Sequence, residues 1–171
     1  MEANINFAKV RSDAIIPSKR DEDMGFDVYA CFDEDYIVIN PHETKLVPTG
    51  LASACDPGYG FLVFERGSTG SKGIARRCGV IDSGYRNEWF IGLTNTTNKT
   101  MFISKLSEAD TYRDYYQEKV HVPSFVYPYT KAIAQALVIP VPNVNKKEIS
   151  YEELQKIPSS RGLGSLGSSG K

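Results

Sequence analysis

The chain has 171 residues, which is enough for one domain with a substantial core. Hydrophobic residues make up 41% and charged residues 24%, and the net charge of −1 at pH 7 argues against nucleic acid or an anionic membrane as a partner. No stretch resembles a signal peptide or a membrane span, so we expect an intracellular, cytoplasmic protein, with a nuclear location also open.

Short apolar and aromatic runs separated by Gly, Pro, Asn and Asp predict strands along most of the chain. In chain order these runs are INFAKV, GFDVYACF, YIVI, TKLVPT, GFLVFE, EWFIGL, TMFIS and AIAQALVIPVP. Many short strands with frequent turns predict an all-β fold of barrel or sandwich type.

Two segments carry helix signals instead. In residues 107–119, SEADTYRDYYQEK, Ser107 precedes Asp110 by three residues, which is the spacing of a capping box. Three tyrosines then share one helical face: Tyr112, Tyr115 and Tyr116. We expect one short helix inside an insertion at about residues 98–130, and the same cap signal recurs at Ser150 in SYEELQKI.

The cysteines and histidines limit the chemistry. Three cysteines, Cys31, Cys55 and Cys78, are widely spaced without a CxxC motif, so we expect reduced, partly buried thiols. The only histidines, His42 and His121, are too few for a His-rich metal site or a His-based triad.

Two stretches are suited to binding phosphate or its metal. ERGSTGSKGIARR, at residues 65–77, is rich in hydrogen-bond donors but lacks the spacing of a P-loop. It is either a solvated loop or a strand-to-loop phosphate site without a helix N-terminus. Asp27 lies between Phe26 and Val28 in a strand-like run. A carboxylate held there can help to position a hydrated Mg²⁺, which takes few protein ligands.

The last residues, SSRGLGSLGSSGK, are nearly all Gly and Ser and cannot fold alone. They are either a frayed end or a flexible lid that becomes ordered on a ligand, to which Arg161 adds a cation.

A further stretch, GVIDSGYRNEW at residues 79–89, contains a turn signal in Asp82, Ser83 and Gly84. A turn alone needs neither Tyr85 nor Arg86 beside it, so an exposed corner and a functional loop both remain open.

Five stretches in this order resemble the motifs of the trimeric dUTPase family: DMGFDVYA, RGSTGSKG, GVIDSGYRNE, AIAQALV and RGLGSLGSSG. The I-D-x-x-Y core of the third is the most specific. The resemblance covers nearly the whole chain and implies hydrolysis of dUTP to dUMP and pyrophosphate with Mg²⁺. It also implies a distorted jelly-roll domain over residues 1–158, a lid at 159–171, and a homotrimer with shared active sites.

The resemblance implies a role for individual residues. Asp82 is the general base that orients the attacking water, in a hairpin whose Val80 and Ile81 line the nucleoside pocket, and Tyr85 packs under the deoxyribose. Asp27 acts on the metal through water. The remaining substrate-binding residues are Arg66, Gly67 and Ser68 on the phosphates, Gln135 beside them, and Arg161, Leu166, Gly167, Ser168 and Ser169 in the lid.

Several positions depart from the family pattern. Gly67 stands where serine is usual, Asn87 and Ser165 where glycine is usual, Ala132 where arginine is usual, and Leu166 where phenylalanine is usual. Two alternatives stay open: a related dCTP deaminase, disfavoured because FIGLTN lacks the glutamate this chemistry needs, and a degenerate member that binds a protein through the aromatic insertion. Some phage-encoded members carry an insertion near this place.

Overall fold

Short strands make up most of residues 3–117 and 121–164, which the computed structural model describes, and this confirms the all-β prediction. None of the helices in these ranges is long and apolar enough to cross a membrane. The strands are β1 Ile5–Lys9, β2 Phe26–Val28, β3 Tyr36–Ile39, β4 Thr44–Pro48, β5 Leu51–Cys55, β6 Tyr59–Phe64, β7 Ile74–Arg77, β8 Val80–Ile81, β9 Phe90–Asn95, β10 Thr100–Ser104, β11 Ser124–Pro128 and β12 Ala134–Pro140. The helices are α1 Gly67–Gly70, α2 Glu108–Tyr116 and α3 Tyr151–Gln155.

The strands form four small sheets, with strand orders β1-β5, β11-β10-β3, β2-β12-β6-β8 and β4-β9-β7. Every pairing is antiparallel except that of β10 with β11. Within the described residues the sheets do not close into one barrel, and the arrangement agrees with the predicted jelly-roll-like subunit. The apolar runs missed β5, β7, β8 and β11, of which only β8 lies in a segment where the family resemblance implied a hairpin.

The core is centred on Trp89, whose side chain is fully buried. Its ring lies edge-on to those of Phe61 and Phe7, with centroid distances of 4.9 and 5.8 Å. Its Nε1 donates a hydrogen bond to Ser53 Oγ at 3.1 Å, so the one polar atom of the indole is satisfied inside the core. Trp89 therefore fixes the end of the 79–89 segment to the body of the domain.

The helix predicted at residues 107–119 is confirmed as α2. Ser107 is its N-cap, and its Oγ accepts a hydrogen bond from the Asp110 amide at 3.1 Å. The helix connects β10 to β11, which run parallel, as a helical crossover allows. β10 is buried along its whole length between β11 and β3, so the predicted insertion supplies the middle strand of a sheet. Its limits at residues 98–130 stay a prediction.

The tyrosines of α2 pack within the chain. Phe102 of β10 is fully buried, and the rings of Tyr112, Tyr115 and Tyr116 lie edge-on to it at centroid distances of 5.9, 4.9 and 6.5 Å. Tyr36 covers the same ring at 5.7 Å. Phe102 is therefore the residue through which α2 is held on its sheet.

The thiols only partly match the expectation. Cys31 and Cys55 are free and buried, and burial raises the pKa of both. Cys78 is free but exposed, so the expectation of partial burial is wrong for this residue. It precedes Gly79 in a short connection between β7 and β8, which belong to different sheets.

The chain divides into a unit that ends at Val141 and a C-terminal unit that begins at Pro142. The C-terminal unit contains α3, which the cap signal at Ser150 predicted. Ser150 Oγ accepts from the Glu153 amide, and the Glu153 side chain accepts from the Ser150 amide, which completes a capping box. The predicted boundary at residue 158 stays a prediction.

We expect Phe102→Ala to lower the free energy of unfolding by about 3–5 kcal/mol, because it leaves a cavity beneath the tyrosines of α2. Urea unfolding at fixed protein concentration measures this loss. Tyr151→Ala is the control, since its ring is 66% exposed and should cost little. Equal losses for the two variants would contradict the anchoring role of Phe102.

Candidate active site

A cleft of about 730 Å³ gathers five of the predicted site residues. These are Asp27, Arg66, Gly67, Ser68 and Gln135, and most of residues 18–25 form the opposite wall. Asp27 lies on β2 and Gln135 on β12, whereas Arg66, Gly67 and Ser68 follow the end of β6. These strands are neighbours, because Gln135 pairs with Asp27 on one side and with Phe64 of β6 on the other. The register of one sheet therefore brings together residues that lie far apart in sequence.

An ion pair stands at the centre of this cleft. Arg66 Nε lies 2.9 Å from Asp27 Oδ1, and its Nη2 donates to Asp27 Oδ2 at 3.3 Å. Arg66 Nη1 also donates to the Ala132 carbonyl at 3.4 Å, and Gln135 Nε2 donates to the Glu65 carbonyl at 3.0 Å. The guanidinium and the amide are thus oriented before any ligand arrives.

The loop after β6 contains one helical turn, α1, which the sequence patterns did not predict. Arg66 is the N-cap with extended backbone, and its carbonyl accepts from the Thr69 and Gly70 amides, both at 2.9 Å. The first amides of a helix, here those of Gly67 and Ser68, have no acceptor within the helix. Thr69 is buried and closes the turn, which leaves these two residues at the cleft.

The carboxylates of the cleft do not form a protein metal cage. No group of three or more His, Cys, Asp or Glu side chains in the described ranges is suited to hold a metal ion. Asp27 faces Arg66, and Asp23 accepts from Arg20 at 2.9 Å. The donor set does fit a hydrated Mg²⁺ that is held mainly by ligand oxygens and contacts one carboxylate through water.

The 79–89 segment begins as an edge strand. Val80 and Ile81 pair with Leu62 and Phe61 of β6, and β8 has no neighbour on its other side within the described part of the sheet. The segment then turns, and the Tyr85 amide donates to the Asp82 carbonyl at 3.1 Å. The expected hairpin is not formed, because β9 pairs with β4 and β7 rather than with β8.

Three residues hold the rest of this segment in place. Tyr85 Oη donates to the Glu88 carbonyl at 3.0 Å, and Glu88 Oε1 accepts from the Gly50 amide at 2.7 Å. Arg86 Nη1 donates to the Ser53 carbonyl at 3.2 Å. Sequence reasoning missed Glu88 and Arg86, and only the arginine beside the turn motif gave a signal. The exposed Asp82 carboxylate accepts no hydrogen bond from the described residues.

The chain does not bring Asp82 and the cleft together. Val80, Ile81 and Asp82 line a separate small pocket of about 130 Å³, which shares no residue with the cleft. Ile81 pairs with Phe61, so Asp82 lies beside the beginning of β6, whereas Arg66 follows its end. At about 3.3 Å per residue, this separation is roughly 20 Å.

The predicted lid residues are described only in part. The Arg161 amide donates to Ser159 Oγ at 3.2 Å, and its Nε donates to the Gly164 carbonyl at 3.3 Å. Leu166, Gly167, Ser168 and Ser169 lie outside the described residues, as does Ser165.

Fold and site together define a β protein with a cleft suited to an anion, because an oriented arginine with a planar set of donors lines it. The dUTPase family model matches residues 11–107. The deoxyuridine 5'-triphosphate nucleotidohydrolase of Neisseria meningitidis serogroup A is 33% identical over 85% of this chain and 81% of its own. That of Nautilia profundicola is 31% identical over 98% and 99%. The chain belongs to the dUTPase family.

Solved structures agree on the fold. The dUTPase of Staphylococcus bacteriophage 80alpha with dUPNHPP superposes with a TM-score of 0.73 at 20% identity, covering 98% of this chain and 99% of that one. The dUTPase of Staphylococcus aureus phage phi11, which has a species-specific insert, gives a TM-score of 0.67 at 18% identity, covering 85% and 96%.

We expect Gly79→Ala to lower the melting temperature, because the added Cβ would lie 2.6 Å from the Val63 carbonyl and 2.3 Å from Arg76 Nη1. Overpacking of this kind costs about 1–3 kcal/mol. Thermal unfolding measures the effect. Gly67→Ala is the control, because its Cβ would meet no atom within 4 Å. A melting temperature for Gly79→Ala no lower than that of Gly67→Ala would contradict this explanation.

Proposed function

We propose that this protein hydrolyses dUTP to dUMP and pyrophosphate, as its membership of the dUTPase family and the names of its relatives support. The observation that carries the proposal is the oriented Arg66 in a cleft with Gly67, Ser68 and Gln135, at the point where the family's phosphate motif falls. Such a donor set neutralises phosphate charge and positions the scissile bond, which is what cleavage of a phosphoanhydride requires.

In the proposed mechanism Asp82 is the general base that orients and deprotonates the attacking water. Its carboxylate is exposed and free of hydrogen bonds from the described residues, so it is available to a water. The backbone of Val80 and Ile81, on the open edge of β8, pairs with the uracil edge. The Tyr85 ring packs under the deoxyribose and leaves no room for a 2′-hydroxyl.

Mg²⁺ is the proposed cofactor, and when bound to the triphosphate it supplies part of the charge neutralisation. Asp27 is the residue that would contact it, through water. A mutant dUTPase from phage phi11 coordinates a structural Mg(II) ion, which supports magnesium as the metal of this fold. In this chain the pairing of Asp27 with Arg66 leaves room for an indirect contact only.

We further propose a homotrimer in which different subunits complete each site. Asp82 and Arg66 lie near opposite ends of β6, roughly 20 Å apart. To cleave one phosphoanhydride bond, the general base and the residues that bind the phosphates must reach the same triphosphate. A second copy of the chain resolves this conflict by bringing its Asp82 to the cleft. The lid residues, from Arg161 through Leu166 to Ser169, are proposed to close over the ligand.

The two alternatives find less support. The FIGLTN run is β9, which offers no acid, and the Glu88 carboxylate just before it is already engaged by the Gly50 amide. A protein partner on the insertion would need exposed aromatic rings. Tyr116 and Tyr127 are buried and Tyr129 packs on Phe32 at 5.0 Å, which favours an internal role. A cytoplasmic location stays a prediction.

Mixing two inactive variants tests the shared site. Asp82→Asn should lower the rate by on the order of 10²–10⁴, as loss of a general base does. Arg66→Gln should also be impaired, because it removes the phosphate cation. After joint unfolding and reassembly, roughly a quarter of the sites should pair an intact Asp82 with an intact Arg66 and regain activity in pyrophosphate release.

The control is to mix each variant with the double variant Asp82→Asn/Arg66→Gln, which restores no complete site. If the first mixture is no more active than its components, each site lies within one chain. Asp35→Asn, at another exposed aspartate, is the control for Asp82→Asn. If both variants keep normal turnover, Asp82 is not the base.

Gly67→Ser should lower KM for dUTP by up to about tenfold, because it restores a hydroxyl donor at a position facing the phosphates. The structure has space for it, since a Cβ at Gly67 meets no atom within 4 Å. Steady-state kinetics measure the change. Gly58→Ser, at an equally open glycine outside both pockets, is the control. A KM that stays unchanged or rises would argue against a phosphate contact at residue 67.

A further inference from the structure

Arg76 on β7 is a half-buried cation without a polar partner in the part of the chain that the structure describes. Its Nε is buried and makes no hydrogen bond, and no carboxylate of these residues forms an ion pair with it. A buried donor that has no acceptor costs free energy, so such a group needs an explanation.

The guanidinium is nevertheless held in one place. Its Cζ lies over the Phe64 ring, 5.2 Å from the centroid, which is a cation–π contact. The guanidinium also lies against Gly79, where even one added carbon would fall 2.3 Å from Arg76 Nη1. The aromatic face and the bare glycine backbone therefore position the cation without neutralising its charge.

This position continues the row of residues that forms the cleft. Asp27, Gln135 and Phe64 are register partners on β2, β12 and β6, so their side chains share one face of the sheet. Asp27 and Gln135 line the cleft. Phe64 is the next residue in the same row, and its ring carries the Arg76 guanidinium. At the Asp27 end of this row, Arg66 forms an ion pair with Asp27. At the Phe64 end, Arg76 has no acidic partner among the described residues.

We propose that Arg76 binds the phosphate chain of the nucleotide as a second cation beside Arg66, with Phe64 and Gly79 as its positioning residues. This inference rests on the proposed function and adds a residue to its binding site. A triphosphate carries several negative charges, and Arg66 is already paired with a carboxylate, so one further fixed guanidinium improves the charge balance. The Nη groups of Arg76 would donate to the phosphate oxygens.

The test is the affinity for two probes, measured by calorimetry on the full chain. One is a dUTP analogue with an imido group at the scissile bridge, and the other is deoxyuridine, which has no phosphate. Arg76→Gln should weaken binding of the analogue on the order of 10- to 100-fold and leave binding of deoxyuridine unchanged. Arg76→Lys keeps the charge but loses the planar guanidinium, so its affinity for the analogue should lie between those of the wild type and Arg76→Gln.

The matched control is Arg77→Gln, which removes a cation from the exposed neighbouring position and should leave both affinities near those of the wild type. Phe64→Leu removes the ring beneath Arg76 but no charge, and should weaken the analogue less than Arg76→Gln does. Arg76→Lys and Phe64→Leu keep the test open if Arg76→Gln does not fold.

The proposal is overturned if Arg76→Gln binds the analogue as tightly as the wild type does. It is also overturned if Arg76→Gln loses as much affinity for deoxyuridine as for the analogue, or if Arg77→Gln loses as much affinity for the analogue as Arg76→Gln does. Hydrolysis of dUTP by the wild type is measured separately. A wild type that binds the analogue but does not hydrolyse dUTP contradicts the proposed function, while the role of Arg76 is still decided by the binding data.

Discussion

Strand β6 sets the geometry on which the candidate site depends. Its end leads into Arg66 and the turn of α1, and its beginning pairs with the two-residue strand β8 that leads to Asp82. Because β6 is paired with β12 along its length, it cannot bend to bring its ends together. The separation of Asp82 from the cleft is therefore built into the register of one sheet, and it is the observation from which we propose that a second copy of the chain completes the site.

How far the sequence predicted the fold depended on local signals. α2 and α3 have serine caps whose side chains bond to the amide three residues on, and each could be located from that spacing. β5, LASAC, was missed because small residues give no alternation, although four of its five residues are buried. β7, IARR, has a single apolar end, and β11 is bounded by prolines. These strands exist because neighbouring strands satisfy their backbone groups, and a single sequence does not reveal its neighbours.

The site was predicted unevenly for a related reason. Arg66, Gly67, Ser68, Gln135 and Asp27 were identified by motif, and sheet register does bring them together. The supporting contacts were not predictable, because they connect distant positions: Glu88 accepts from Gly50, and Arg86 reaches the Ser53 carbonyl. The helical turn of α1 was also missed, since glycine and serine favour loops and only the buried Thr69 ties this turn down.

The charge arrangement around β6 separates two uses of arginine. Arg66 is compensated by Asp27 in a bidentate pair, so its position is fixed but its net attraction for an anion is reduced. Arg76 is fixed by the Phe64 ring and by the absence of a side chain at Gly79, neither of which cancels its charge. In the site that we propose, the paired cation would orient the triphosphate and the unpaired one would add attraction for it. Gly79 links these features to the 79–89 segment: its carbonyl accepts from the Val63 amide at 2.7 Å, so the residue that makes room for Arg76 also fixes the start of the strand that leads to Asp82.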